Sequence, residues 1–287
     1  MRFLVYTIIL ILLSFFLSCD IINPKEEIPT YISCDTALLT TDYYTQGSNA
    51  HNITDAWIYV NSKLIGVFEM PFSIPVLASG ANKVEILPGI KNNGVAASRV
   101  VYPFYEKYTL DTVFKPYEIL KITPSFEYRN ATFALIEDFE DLGIAFAVTS
   151  QSDTNINLVS GAEAFEGNSM SFSLDSERSF FECRTTDLFV LSYINNVYLE
   201  MSFKCNDYFE FGLFARKYSG GADVEVRKSV ITLNPTNGWK TIYIKLNDVI
   251  AMNSDAYDFR LYFACSRTKS SPEETTHVYI DNVKLIY

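Results

Sequence analysis

The sequence predicts an all-β protein of two domains. Two observations lead there. Short runs of alternating apolar and polar residues recur through both halves of the chain, while no helical period of useful length is found. The composition, with 22 Phe and 19 Tyr among 287 residues, favours the pleated, half-buried surfaces on which aromatic side chains pack.

The first residues stand apart from that pattern. Met1-Arg2 is followed by an apolar stretch, Phe3 to Leu17, interrupted only by Tyr6, Thr7 and Ser14 and closed by Ser18-Cys19-Asp20. One early cation and about fifteen apolar residues have the layout of a secretory signal and are short for a membrane span. The small Ser18 before Cys19 resembles the processing site of a bacterial lipoprotein. That resemblance implies a signal peptide over residues 1–18, a covalent lipid on Cys19, and an outer-membrane, lipid-anchored protein, periplasmic or surface-exposed. An uncleaved N-terminal anchor is the alternative. Residues 19–30, with Pro24, Pro29 and the triplet Lys25-Glu26-Glu27, read as a tether. The triplet resembles the surface-export signal of Bacteroidota lipoproteins, and Asp35-Thr36-Ala37 and Asp111-Thr112-Val113 match the O-glycosylation pattern of exports from that group.

Residues 31–130 read as a small β-sandwich. Asp55 to Phe68 gives two strands joined at Asn61-Ser62, because Asn tolerates the left-handed conformation that a tight hairpin demands. Phe72 to Leu77 and Lys83 to Leu87 follow, the second ended by Pro88-Gly89. Ser98 to Tyr102, Tyr105 to Val113 and Tyr117 to Tyr128 complete the set, with Pro103 and Pro116 at the breaks. The runs from Trp57 to Gly66, Ile74 to Gly80 and Lys83 to Ile86 resemble PEGA and peptidase-regulatory-like domains, which implies a spacer or docking module.

Residues 131–287 form the second domain. Strands such as 197–205 and 239–246 alternate as half-buried antiparallel strands do. Ile136 to Asp141, Gly167 to Leu174, Trp239 to Asp248 and Val278 to Tyr287 occur in that order. Together they resemble the jelly-roll β-sandwich of carbohydrate-binding modules. That resemblance implies that the first and last strands lie side by side, bringing Glu137, Asp138, Glu140 and Asp281 to one edge. A structural Ca²⁺ there, with its demand for several oxygen ligands, is one reading of these acids, and solvated strand ends are the other. For sugar stacking the candidates are Tyr208, Tyr218, Tyr257 and Tyr262; Trp239 stands where the family usually packs its core.

Composition narrows the function. With Lys and Arg at 23 and Asp and Glu at 34, the chain carries a net charge of −11, and loss of Arg2 with the signal leaves it near −12. A nucleic-acid partner is not expected of such a surface, and lipid rather than charge must do any anchoring. Cys34, Cys183, Cys205 and Cys265 show neither paired nor metal-ligand spacing, and Cys205 and Cys265 fall in phase with apolar core positions. His51 and His277 lie far apart, and no hydrolase, metalloprotease or P-loop signature occurs. No catalytic residue is singled out. Two functions are expected to compete: a binding or scaffold subunit with an outer-membrane protein partner, and a surface glycan-binding protein of a polysaccharide-uptake system.

Overall fold

The structure is a computed structural model and describes residues 28–287. Cys19, the signal segment 1–18 and the tether up to residue 27 lie outside the described residues. The regular structure of the described chain is nearly all strand, with two short α-helices, α1 (Tyr43–Gln46) and α2 (Asn247–Ala251), and one 3-10 turn at Gly161–Glu163.

Residues of the first half surround one apolar core. A five-stranded sheet is made by β3 (Asp55–Val60), β4 (Lys63–Glu69), β6 (Gly80–Lys91), β7 (Arg99–Val101) and β8 (Tyr108–Phe114). Against it lie a three-stranded sheet of β5 (Phe72–Val76), β1 (Thr30–Cys34) and β9 (Ile119–Lys121), and a parallel pair of β2 (Leu38–Thr40) and β10 (Ser125–Glu127). Ile32, Ile58, Val60, Ile74, Val84, Ile86 and Phe126 are buried between them. The hairpin turns at Asn61 (φ 50°) and Ser62 (φ 65°), the left-handed pair expected at that position. Pro88-Gly89 does not end its strand, because β6 runs on to Lys91. Pro88 sits where β6 changes partners, β8 pairing up to Ile86 and β7 from Gly89, so its missing N–H leaves no ladder bond unmade. The stretch from Tyr117 to Tyr128 is two strands, β9 and β10, split ahead of Pro124.

The second half is a sandwich of two antiparallel sheets. One has the order β13 (Asn157–Ser160), β14 (Asn168–Leu174), β21 (Thr276–Ile286), β16 (Tyr198–Cys205), β19 (Lys240–Lys245), with β11 (Phe133–Glu137) also on β21. The other has the order β12 (Phe146–Val148), β15 (Phe180–Thr185), β20 (Asp258–Ser266), β17 (Phe209–Ser219), β18 (Ala222–Leu233). The first and last strands of this half are neighbours, Glu137 standing opposite Val283. Alternate residues from both sheets, among them Phe172, Phe181, Met201, Phe211, Leu213, Phe263 and Ile280, fill one core, with Phe172 and Phe181 stacked at 3.7 Å. This is the all-β jelly-roll type of architecture that the strand pattern predicts.

The outward face of the six-stranded sheet is covered by the first half. Tyr198, Glu200, Tyr243 and Lys284 point away from the sandwich core yet are buried, because Tyr102, Tyr105 and Tyr128 lie over them. The Tyr102 and Tyr128 hydroxyls each donate to Glu200 at 2.6 Å, and Lys284 Nζ donates to the Ser48 carbonyl at 2.5 Å. Asn93 closes the exposed edge of β19, accepting from Lys245 N and donating through its own N–H to the Tyr243 carbonyl, each at 2.8 Å. The strand at 197–205 is therefore buried on both faces rather than half-buried.

Candidate functional site

One outward face of the sandwich is thus occupied, and the other, on the five-stranded sheet, remains open. Strand alternation decides what it displays. On β17 the inward residues are Phe209, Phe211, Leu213 and Ala215, so Glu210, Gly212, Phe214, Arg216 and Tyr218 face out. On β20 the same parity sends Asp258, Arg260 and Tyr262 outward, on β15 Glu182 and Arg184, and on β18 Glu225 and Arg227 by their register against β17.

These side chains form a polar lattice of three bonded groups set side by side. Arg184 pairs with Glu225, which also takes Arg260 Nε at 3.1 Å. Arg260 is fixed further by the Thr185 carbonyl at 2.7 Å. Arg227 spans Glu182 at 3.2 Å and Glu210 at 3.3 Å while its guanidinium lies 4.7 Å over the Tyr262 ring. Arg216 grips Asp258 through two bonds of 2.8 Å and covers Tyr257 at 5.1 Å. The forked Arg216–Asp258 pair is geometrically rigid, and Arg227 and Glu225 are each held between two partners, so their unused lone pairs and N–H groups are restrained in direction. Phe214 lies half-buried among them, 4.9 Å from Tyr262 and beneath Arg184.

Gly212 makes the lattice possible. A Cβ there would lie 2.4 Å from the Tyr262 hydroxyl and 2.4 Å from the Lys228 carbonyl, so only glycine lets Tyr262 lie flat across β17 and donate to Glu210. Burial and that bond push the Tyr262 phenol well above its ordinary value. Beside the lattice, Ala147 to Gln151 wall an open groove of about 620 Å³ that reaches Phe214, Glu225 and Arg260.

All four tyrosines singled out in the sequence belong to β17, β20 or their ends. Tyr208 (49 % exposed) stands at one end of the sheet, and Tyr218 (70 %) and Tyr257 (40 %) at the other. Tyr262 departs from expectation, since Arg227 and Gly212 enclose it and leave no ring face to solvent. Trp239 is half-buried, not core, and packs on Phe165 at 5.4 Å. The charged residues of the lattice were not singled out from sequence. Their signal is the alternation Glu210-x-Gly-x-Phe-x-Arg216 and Asp258-x-Arg-x-Tyr262, which shows that each strand has a polar face but not that the strands are neighbours.

The four acids read as calcium ligands are each engaged elsewhere. Glu137 accepts from Phe139 N at 2.8 Å and Ala145 N at 2.5 Å; Asp138 accepts from Tyr43 at 2.6 Å; Glu140 accepts from Asn168 Nδ2 at 2.9 Å; Asp281 accepts from Ser169 Oγ and Asn282 N, both at 2.6 Å. Among the described residues no three acidic, His or Cys side chains converge as a metal cage. Burial pushes Glu137 up, and pushes Asp281 up to about 6.

No protein-family model matches the chain, and no curated protein does. Among solved structures it is similar to carbohydrate-binding modules. The family 11 module of Clostridium thermocellum, in complex with a β-1,3-1,4-mixed-linked tetrasaccharide, is 17 % identical over 54 % of this chain and 94 % of its own, with a TM-score of 0.35. A family 28 module specific for non-crystalline cellulose is 18 % identical over 53 % and 93 %, with a TM-score of 0.36. A family 29 module complexed with mannohexaose is 13 % identical over 55 % and 93 %, with a TM-score of 0.33.

Proposed function

We propose that this chain is a non-catalytic glycan-binding lipoprotein, held to an outer membrane by lipid on Cys19, that lays a polysaccharide along the outward face of its five-stranded sheet. The observation that carries the reading is the fixed guanidinium–carboxylate lattice, open to solvent, with tyrosine rings exposed at both of its ends. Neighbouring sugar hydroxyls need paired donors and acceptors at fixed spacing, and their C–H faces need flat apolar rings; this face offers both. Tyr208 and Tyr218 are ten residues apart on one strand, so the face runs for about 33 Å and suits a polymer better than a monosaccharide. Its outward acids are committed to arginines, which equips them as acceptors and not as proton donors to a glycosidic oxygen.

Affinity electrophoresis and calorimetry with soluble β-glucan, glucomannan, xylan and polygalacturonate test this. At least one polymer is expected to retard the protein, and Arg260→Ala and Glu225→Gln are each expected to weaken binding about tenfold, the effect of losing one charged hydrogen bond. Wild-type mobility unaltered by all four polymers, or variants that bind like wild type, would sink the reading.

A scaffold role has its own observation. Val190 and Ile194 on one loop and Met252 at the end of α2 are each about four-fifths exposed, and α2 is tied to that loop by Asn247 Nδ2 donating to the Tyr193 carbonyl at 3.0 Å. Exposed apolar side chains of this kind suit a protein partner, and cross-linking in intact membranes at Ile194 would reveal one.

A further inference from the structure

The three-stranded sheet of the first half carries an apolar surface that nothing in the described structure covers. Tyr31 on β1 stands directly opposite Pro75 on β5 and Ile119 on β9, so these three are neighbours on the outward face. Leu77 (64 % exposed) follows β5, and Ile28 (40 %) precedes β1. The patch is extended by Tyr117, which is 77 % exposed and whose N–H bonds the Pro29 carbonyl.

Tyr117 is held out at a cost. Lys115-Pro116-Tyr117-Glu118 is a turn closed by Glu118 N donating to the Lys115 carbonyl at 3.1 Å, and Tyr117 has φ 68°. That is the third position of a type II turn, where glycine is favoured. A bulky aromatic there is strained by about 1 kcal/mol or more and, being exposed, recovers nothing by packing within this chain. Proline before it and strain at it together aim one ring outward.

We infer that this face is a bilayer-docking surface, with Tyr117, Ile119 and Leu77 seated in the headgroup and acyl boundary of the membrane that anchors the chain. The inference rests on the proposed lipidation of Cys19. Ile28 follows Cys19 by nine positions, so an acylated Cys19 tethers the patch within about 30 Å of the lipid surface even when fully extended. The patch surrounds the point where the tether enters the fold and is the first surface to meet lipid. Tyrosine with Ile and Leu is the composition of a membrane interface. Among the described residues, charges beside the patch are paired with each other, Lys115 with Glu118 at 3.3 Å and Lys121 with Asp35 at 3.6 Å, so a zwitterionic bilayer suffices.

The test uses the full mature lipoprotein in phosphatidylcholine liposomes. Mass spectrometry first establishes whether Cys19 is acylated. Tyr117→Cys and, as a distant control, Tyr218→Cys are then labelled with bimane; the native thiols Cys34, Cys183, Cys205 and Cys265 are buried and resist labelling. Brominated lipid is expected to quench the Tyr117 label several-fold and leave the Tyr218 label untouched, as burial of the tip about 5–10 Å deep requires. With Cys19 acylated, equal and weak quenching at both positions overturns the docking surface while the anchor stands. A Tyr117 label shielded only in concentrated, self-associated protein overturns it in favour of a second copy. An unmodified Cys19 overturns the anchor and the docking surface together.

Discussion

Asp281 illustrates how a single buried carboxylate shapes stability. It is 1 % exposed, and burial, helped by the negative charge of Glu166, pushes its carboxyl up to about 6 despite bonds from Ser169, Glu166 N and Asn282 N. In the unfolded chain an Asp titrates near 3.9. The folded state therefore binds the proton more tightly, and the favourable contribution is complete below about pH 4 and lost as pH rises through about 6. The gap corresponds to about 3 kcal/mol. Urea denaturation of wild type and Asp281→Asn at pH 4 and pH 7 should show wild type gaining on the variant by about 2–3 kcal/mol at the lower pH. A difference between the two proteins that does not change with pH would refute the assignment. At this scale the sequence is least informative. Asp281 was legible as an acid beside the opening strand, but that it meets hydroxyl and amide donors depends on Ser169 and Glu166 arriving on a different strand connection.

Strands and turns were far more legible, because their signals are local. The Asn61-Ser62 hairpin, the strands at 168–174 and 240–245 and the closing strand all follow from alternation and turn residues. The misreadings at this scale have a common cause. Pro88 was read as a terminator because its missing N–H matters only if a partner strand faces it, and which strand faces it is a non-local fact. The polar row Tyr198, Glu200, Ser202 reads as solvent-facing for the same reason. The hairpin also contains a correctable flaw. Both turn residues are left-handed, Ser62 at φ 65°, and the favoured second residue of such a turn is glycine. Ser62→Gly should therefore raise stability by about 0.5–1 kcal/mol, visible as a higher urea midpoint at unchanged slope. A lower midpoint would show that the extra unfolded-state entropy of glycine outweighs the relieved strain.

At the scale of the whole molecule, the two halves are joined by a buried polar cluster, and this determines which face is left for binding. Glu200 and Lys284 stand opposite each other on β16 and β21, each 2 % exposed, and burial pushes the carboxyl up and the ammonium down. What the first half supplies opposes both shifts: hydroxyls from Tyr102 and Tyr128, the Ser48 carbonyl, and the Tyr128 hydroxyl again, 3.4 Å from Lys284 Nζ. Removing one donor leaves a buried charge short of a partner, which costs about 1–3 kcal/mol. Tyr102→Phe and Tyr128→Phe should each lower stability by that amount while changing almost no apolar contact. Combined, they should split the thermal unfolding of the protein into two transitions, because the jelly-roll core is built from second-half residues alone, while the other core, which takes in Tyr198, Tyr243 and Ile286, loses bonds that hold it to the sandwich. The undocked jelly roll would then expose Glu200 and Lys284 to water, where each is solvated and no longer destabilising, so the later transition should lie close to the wild-type midpoint. Glycan affinity should persist in the double variant, since the lattice from Glu182 to Arg260 lies on the opposite sheet and shares no residue with the docking cluster. A double variant that still melts in one step at the wild-type temperature would mean that apolar contacts such as Tyr102 on Tyr198 hold the halves together without the charged cluster.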